Sequence, residues 1–171
     1  RKLITLLGEQ KQAIIHRAVT GGIVGCNELL PTNSRWFPEL PTRWKAIALR
    51  RLIWAAIDGP HFSPSYVDAG IPFLSARNIK VDGWSLADAK FVTEDDYVEF
   101  SRRVRPEVGD VLYTKGGTTG VARAVDLEFP FQVWVHVAVL KIIKERVIPH
   151  YLAYALNSPR CYEQSQLFTR G

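Results

Sequence analysis

The sequence predicts an α+β fold, in which an N-terminal helix and a linker precede a largely antiparallel β domain with a late helix. Three observations lead to this prediction. Apolar residues recur at helical spacing over residues 2–20, prolines punctuate residues 23–43, and short β-type segments alternate with glycine-rich turns from about residue 45. We therefore divide the 171 residues into a helix (1–22), a proline-rich linker (23–43) and a β domain (44–171).

The N-terminal helix is predicted to have one apolar side. Leu3, Leu7, Ile14 and Ala18 follow one another at intervals that place them on the same face. The glycine pair at positions 21–22 ends the helix, as glycine commonly does. A helix of this length is marginal alone in water, so it either packs on its own domain or pairs with another helix.

The predicted linker is rich in proline. Pro31, Pro38 and Pro41 exclude a long regular element from this segment. Trp36 and Trp44 stand close to these prolines, and large aromatic residues in such positions usually anchor a linker to a core.

The β domain contains three recognisable local patterns. Residues 111–125 predict a strand, a glycine-rich loop at 115–120 and a second strand, because glycine supplies the positive φ angles of a hairpin loop. Valines at every second position from Val133 to Val139 predict one strand over 133–140 that is buried on both faces. Pro149 predicts the start of a helix that includes residues 150–156.

Composition indicates a folded domain with a polyanionic partner. Lys and Arg number 22 against 17 acidic residues, a formal net charge of +5, and the 47% of hydrophobic residues suffices for a core. No apolar run reaches the roughly 18 residues of a membrane span. Cys26 and Cys161 match no zinc or redox spacing, which predicts reduced thiols in a cytoplasmic protein. Met is absent even from position 1, so we expect a fragment or a processed chain.

Two side chains at the end of an apolar segment are candidates for reading bases. Residues 70–79 form a short apolar run that ends in Arg77 and Asn78, followed by Lys80. Arginine pairs well with guanine edges and asparagine with adenine edges. The alternative is a polar strand end that faces water.

The loop at 115–120 and the basic run at 101–106 are candidates for contacting phosphates. The loop lacks the residue order of a Walker phosphate loop. It is either a plain hairpin turn or a hairpin tip that reaches DNA, with Lys115 on a phosphate and Thr118 or Thr119 near a base edge. Arg102, Arg103 and Arg105 would grip backbone phosphates or lie in a solvated loop.

No catalytic constellation is evident in the sequence. His136 falls inside the predicted buried strand and is expected to be a core histidine. His61 follows Asp58 in a turn, so an acid–base pair is conceivable, but no nucleophile adjoins it in sequence. The acidic run at 94–96 lacks the separated partners of a metal site.

Several motifs occur together in an order that resembles a known family. They are the helix at 3–22, the Trp-Phe-Pro segment at 36–44, Asp-Gly-Pro-His-Phe-Ser-Pro at 58–64, the run at 70–79, Val-Gly-Asp-Val-Leu at 108–112 with its following loop, and residues 151–158. In this order they resemble a target recognition domain of the DNA specificity subunit of type I restriction–modification systems, preceded by the end of its spacer helix. The resemblance extends over nearly the whole chain.

The resemblance implies a non-catalytic protein that reads one half of a split DNA target. Its partners would be double-stranded DNA, modification subunits that use S-adenosylmethionine, and restriction subunits that use ATP, with no cofactor bound by this chain. Such subunits usually carry two recognition domains, and this chain resembles one domain that is truncated at its C-terminus. The residues expected near DNA are Arg77, Asn78, Lys80, Lys115, Thr118, Thr119 and Arg123, with Arg102, Arg103 and Arg105 on phosphates.

Two other functions stay open at this point. The chain could be a protein-interaction module whose basic charge is incidental. It could also be the recognition domain of a fused methyltransferase or nuclease.

Overall fold

The computed structural model describes residues 2–22 and 28–167. Cys26, one of the two cysteines considered above, lies outside this range. The helices are α1 (Lys2–Gly21), α2 (Glu94–Ser101), α3 (Pro149–Leu156) and α4 (Pro159–Leu167). The strands are β1 (Leu29–Pro31), β2 (Glu39–Pro41), β3 (Ile53–Asp58), β4 (Ile71–Leu74), β5 (Ile79–Lys80), β6 (Gly83–Trp84), β7 (Lys90–Val92), β8 (Val111–Thr114), β9 (Ala122–Ala124), β10 (Gln132–Val133) and β11 (Val137–Ile142). The predicted α+β class is confirmed.

Helix α1 packs on its own domain but leaves part of its apolar side exposed. It packs against α3 and β2, and Lys11 and Gln12 each bond the Asp82 carboxylate at 2.9 Å. Large apolar residues of its first turns nevertheless face solvent, with Ile4 75% and Leu3 68% exposed. The helix is therefore attached to the domain and still presents an apolar surface. Among the described residues, no helix is both long enough and apolar enough to cross a membrane.

The described part of the linker contains a small antiparallel hairpin. Strands β1 and β2 pair with Leu30 opposite Leu40, and each strand spans 3 residues, as short as its prolines require. The Trp36 carbonyl accepts a 2.9 Å hydrogen bond from Arg160 of α4. This bond ties the linker to the far end of the chain.

Two sheets form the β domain. A 4-stranded antiparallel sheet has the order β3-β11-β8-β9, and a 3-stranded sheet has the order β10-β4-β7 with β10 parallel to β4. Strands β5 and β6 form a separate hairpin. The largest core cluster combines residues of both sheets, among them Leu74, Leu112, Val133 and Val139. The predicted hairpin around the 115–120 loop is confirmed as β8 and β9, with positive φ at Gly117 and Gly120.

The single strand predicted over 133–140 is wrong. The chain leaves β10 at Val133, crosses from one sheet to the other through residues 134–136, and begins β11 at Val137. The crossing is held by the Trp134 N–H, which donates to Leu74 at 2.9 Å, and by the Val137 N–H, which donates to Trp134 at 2.8 Å. His136 therefore lies exposed at the surface and is not the core histidine that its place in the pattern predicted.

Helix α3 begins at Pro149 as predicted, whereas α2 and α4 were not predicted. Helix α2 has a clear start, because the Thr93 hydroxyl accepts a hydrogen bond from the Asp96 N–H at 3.1 Å. The acidic run at 94–96 occupies its first turn, where negative charge favours the helix dipole. That role accounts for the acidic cluster.

A buried ion pair fixes the turn that follows the basic run. Lys141 of β11 donates to the Asp110 carboxylate at 2.8 Å and to the Arg105 carbonyl at 2.7 Å. Burial raises the pKa of Asp110, although the bonds from Lys141 and from the Glu107 N–H act in the opposite direction. These bonds hold the backbone of residues 105–110 against the centre of the sheet.

Candidate nucleic-acid interface

A groove of about 460 Å³ lies where the sheet crossing meets two loops. The Arg77 and Lys90 side chains supply positive charge to its lining, and Tyr66, Trp134 and His136 supply aromatic rings. The lining also includes the loop residues Gly116, Gly117 and Thr118. Cations that can meet phosphates and rings that can stack on bases are the usual components of a nucleic-acid surface.

The aromatic wall of the groove is held by contacts among its own members. Trp134 and His136 meet edge to face with ring centroids 5.2 Å apart. Gly116 lies against the His136 ring, where a Cβ would come within 2.3 Å of Nδ1. Across the groove, the Lys90 ammonium lies 6.0 Å from the centroid of the Tyr66 ring. Neither Tyr66 nor Lys90 was predicted as a site residue, because each lies far along the chain from the 115–120 loop that lines the same groove.

Asp58, at the end of β3, joins the two basic segments beside the groove. Arg103 donates to its carboxylate at 2.5 Å and to its carbonyl at 2.9 Å, and Lys115 donates to the other carboxylate oxygen. His61 Nε2 lies 3.1 Å from that same oxygen, so the conceivable Asp58–His61 pair is present. Partial burial favours a higher pKa, but the bonds from Lys115 and Arg103 outweigh it and hold the pKa of Asp58 well below its usual range.

This cluster leaves positive charge in excess. One carboxylate serves both the Arg103 guanidinium and the Lys115 ammonium, whose side chains keep 50% and 41% of their surface exposed. Both cations can therefore meet a further anion without leaving Asp58. The cluster fixes the base of the 115–120 loop to the end of β3.

The other predicted basic residues lie on the surface with different surroundings. Arg102 is exposed and pairs with Glu99 at 2.5 Å, one turn earlier on α2. The side chains of Arg105 and of Lys80 are exposed. Thr118 lines the groove, whereas Thr119 is half-buried outside its lining.

Two predicted DNA contacts are corrected by the structure. Asn78 is only 1% exposed, and its side chain accepts bonds from the Ser75 N–H and hydroxyl and donates to the Ser85 carbonyl, all at 2.8 Å. It organises the turn after β4 and cannot reach a base edge. Arg77, its neighbour, is exposed and lines the groove.

Arg123 also has an internal role. Its guanidinium lies 4.8 Å from the Trp84 ring centroid and bonds Asp126 at 3.0 Å, which leaves the side chain 16% exposed. The residue joins β9 to the β5–β6 hairpin. It packs and pairs inside the domain, away from the groove.

No group of three or more His, Cys, Asp or Glu side chains within residues 2–22 and 28–167 is arranged to hold a metal ion.

Comparison with known proteins identifies a fold. No family model matches the chain, and no curated protein matches it in sequence. Among solved structures, the crystal structure of the HsdS subunit from Thermoanaerobacter tengcongensis matches all of this chain with a TM-score of 0.53 and 14% identity. The chain has an HsdS-like fold. It spans 38% of the length of that subunit.

Replacing Asn78 by alanine is expected to destabilise the domain. The variant loses three buried hydrogen bonds around Ser75 and Ser85, a cost of about 3 kcal/mol in the free energy of unfolding. Urea unfolding measures this change, with Arg77→Ala as the control, because an exposed neighbour changes stability by about 0.5 kcal/mol at most. An Asn78→Ala variant as stable as the wild type would contradict the structural role.

Replacing Asp58 by asparagine is expected to remove a pH-dependent part of the stability. Because folding lowers the pKa of this carboxyl, its contribution is present above the unfolded value of about 3.9 and is lost as the pH falls further. Asp58→Asn should cost about 2 kcal/mol at pH 7 and should flatten the acid limb of the stability curve. Asp82→Asn is the matched control, since its exposed pair with Lys11 contributes less than about 1 kcal/mol. Equal losses of stability in Asp58→Asn and Asp82→Asn would contradict the stabilising role of the Asp58 carboxylate.

Proposed function

We propose that this chain is a DNA target recognition domain of a type I restriction–modification specificity subunit and reads one half of a split target. The observation that carries the proposal is the HsdS-like fold, which includes every element from α1 to α4. HsdS is the specificity subunit of such systems. The order of motifs in the sequence points to the same family.

The groove supports this proposal through its chemistry. Arg77 is exposed and lines the groove together with the loop residues 116–118, so its guanidinium can make the two parallel bonds that distinguish guanine. Lys90 and the cluster around Asp58 supply positive charge that can meet phosphates. Thr118 adds a hydroxyl that can donate or accept at a base edge.

Helix α1 fits the same proposal as the end of a spacer helix. Its apolar residues Leu3, Ile4, Leu7 and Ile14 stay at least half exposed although the helix is anchored through Lys11. In the proposed assembly, modification subunits with S-adenosylmethionine and restriction subunits with ATP carry out the chemistry at the site that this domain selects. The domain itself contributes binding alone.

Selection from a random duplex library tests the proposal. The experiment is run at physiological salt, with and without a modification subunit, on chain verified as folded by circular dichroism. We expect enrichment of a half-site of a few base pairs. A folded chain that enriches no sequence in either condition would overturn the proposal and favour the protein-interaction function.

Replacing Arg77 by alanine should weaken binding at one base pair of the selected half-site. The expected loss is about 1–3 kcal/mol for the preferred base, with little change for duplexes that already carry another base there. Competition binding against single-base variants of the half-site measures this pattern.

Arg102→Ala is the matched variant for Arg77→Ala. If Arg102 contacts a phosphate, its loss lowers affinity for all sequences alike and reduces the salt slope by about 1. A uniform loss for Arg77→Ala would refute base reading by Arg77 while leaving DNA binding intact.

A further inference from the structure

The outer edge of β3 carries neither charge nor proline, and its only protective irregularity among the described residues is a register shift against β11 that leaves Trp54 without a partner residue. Strand β3 is the terminal strand of the 4-stranded sheet and pairs only with β11 among the described residues. Residues 53–57 read Ile-Trp-Ala-Ala-Ile, with no charge and no proline. Natural proteins normally place lysine, proline or a bulge on such an edge, because its free N–H and C=O groups can pair with another chain.

The exposed side of this strand is apolar and carries an aromatic residue. Trp54 is 68% exposed, and Ala56, two positions later, is exposed on the same side of the strand. Ile53 and Ile57 instead pack toward the two core clusters. Tryptophan and arginine are the residues most enriched at energetically important positions of protein interfaces.

Positive charge is concentrated at the start of the edge. Arg50 and Arg51 are exposed immediately before β3, and Arg146 donates to the Arg51 carbonyl at 2.9 Å. None of these three arginines takes part in an ion pair within residues 2–22 and 28–167. At the other end of the strand, Arg103 already occupies the Asp58 carbonyl, so the open edge extends over Ile53–Ile57.

We infer that the edge of β3 is a docking site for an extended, acidic segment of a partner protein, which joins the sheet as an additional strand beside Trp54. The backbone of the segment forms inter-strand hydrogen bonds with the open edge of β3, and Trp54 packs on alternate side chains of the segment. Acidic residues of the segment pair with Arg50, Arg51 and Arg146. This inference is independent of the proposed function and of the groove.

Charge and geometry favour this occupant over a second copy of the chain or a nucleic acid. Antiparallel pairing of two β3 edges would place Arg50 and Arg51 of one copy beside the Arg103 and Lys115 of the other, and each chain has a formal net charge of +5. A nucleic-acid backbone would pair with the arginines, but it has no peptide groups in the regular spacing that would form hydrogen bonds with the free backbone groups of β3. An acidic peptide segment satisfies both requirements.

A displayed library of random 12-residue peptides tests the inference on the full chain at physiological salt. We expect enrichment of peptides in which β-branched or aromatic residues alternate and which carry Asp or Glu near one end. The best peptide is then synthesised, labelled and measured by fluorescence anisotropy. Trp54→Ala and the double variant Arg50→Glu/Arg51→Glu should each raise its Kd about ten-fold, the scale of a strong interface residue.

Matched controls separate the edge from the rest of the surface. Val98→Ala removes an exposed apolar side chain on α2, and Arg17→Glu reverses an exposed charge on α1, and neither should change the Kd. Peptides N-methylated at every second residue distinguish strand addition from other binding. Methylation in one register should abolish binding, and methylation in the other should preserve it.

Three results would overturn the inference. The first is a library that enriches no peptide. The second is an enriched peptide that binds the Trp54→Ala variant as well as the wild type, or that binds equally well when methylated in either register. The third is a concentration-dependent dimer that Trp54→Ala disrupts. The last result would identify a second copy as the occupant. Binding of the selected half-site DNA by the Arg50→Glu/Arg51→Glu variant is measured in parallel. That measurement tests the proposed function alone, so a failure of peptide docking is distinguishable from a failure of DNA reading.

Discussion

The close approach of two backbone segments at Gly59 determines how the sheets of this domain join. A Cβ at this position would lie 1.9 Å from the Val133 carbonyl oxygen, so only glycine allows the chain after β3 to pass against the end of β10. At this same place the chain crosses between sheets through residues 134–136. The position of the groove follows, because Trp134 and His136 belong to the crossing. A side chain at position 59 would separate the two sheets where their shared core begins.

Electrostatic pairing divides the cations of the β domain into two groups. Lys141 is buried and paired with Asp110, and Arg123 is largely covered and paired with Asp126. Arg103 and Lys115 share one carboxylate and remain half exposed. The first group stabilises the domain, because a buried charge without its partner is costly. The second group keeps its capacity for an external anion, so charge counted in the sequence overstates the charge available for binding.

Local signals in the sequence were sufficient for the elements whose causes are local. The apolar spacing of α1, the proline at the start of α3 and the glycines of the 115–120 loop each act within a few residues, and the structure confirms them. Helix α2 also had a local signal, the Thr93 cap with acids behind it, but these acids were weighed only as a metal site, which their spacing argued against. Alternating valines did not reveal the crossing between β10 and β11, because both strands bury their side chains and the turn depends on Leu74 and Gly59. In the candidate site, Arg77 and Thr118 line the groove and stay predictions as DNA contacts, whereas the roles of Asn78 and Arg123 depend on distant partners that no spacing encodes.

The groove combines exposed side chains in its lining with buried residues that support them. Arg77, Tyr66, Lys90 and Thr118 are all exposed side chains of the lining, whereas Asn78 in the same lining and Leu74, Val133 and Gly59 are buried. Substitutions in the first set therefore change the chemistry of the surface at small cost in folding free energy. A lineage with this scaffold can alter what the groove binds by single amino-acid replacements, without passing through unfolded intermediates. Diversification of the ligand and conservation of the fold are then compatible in one small domain.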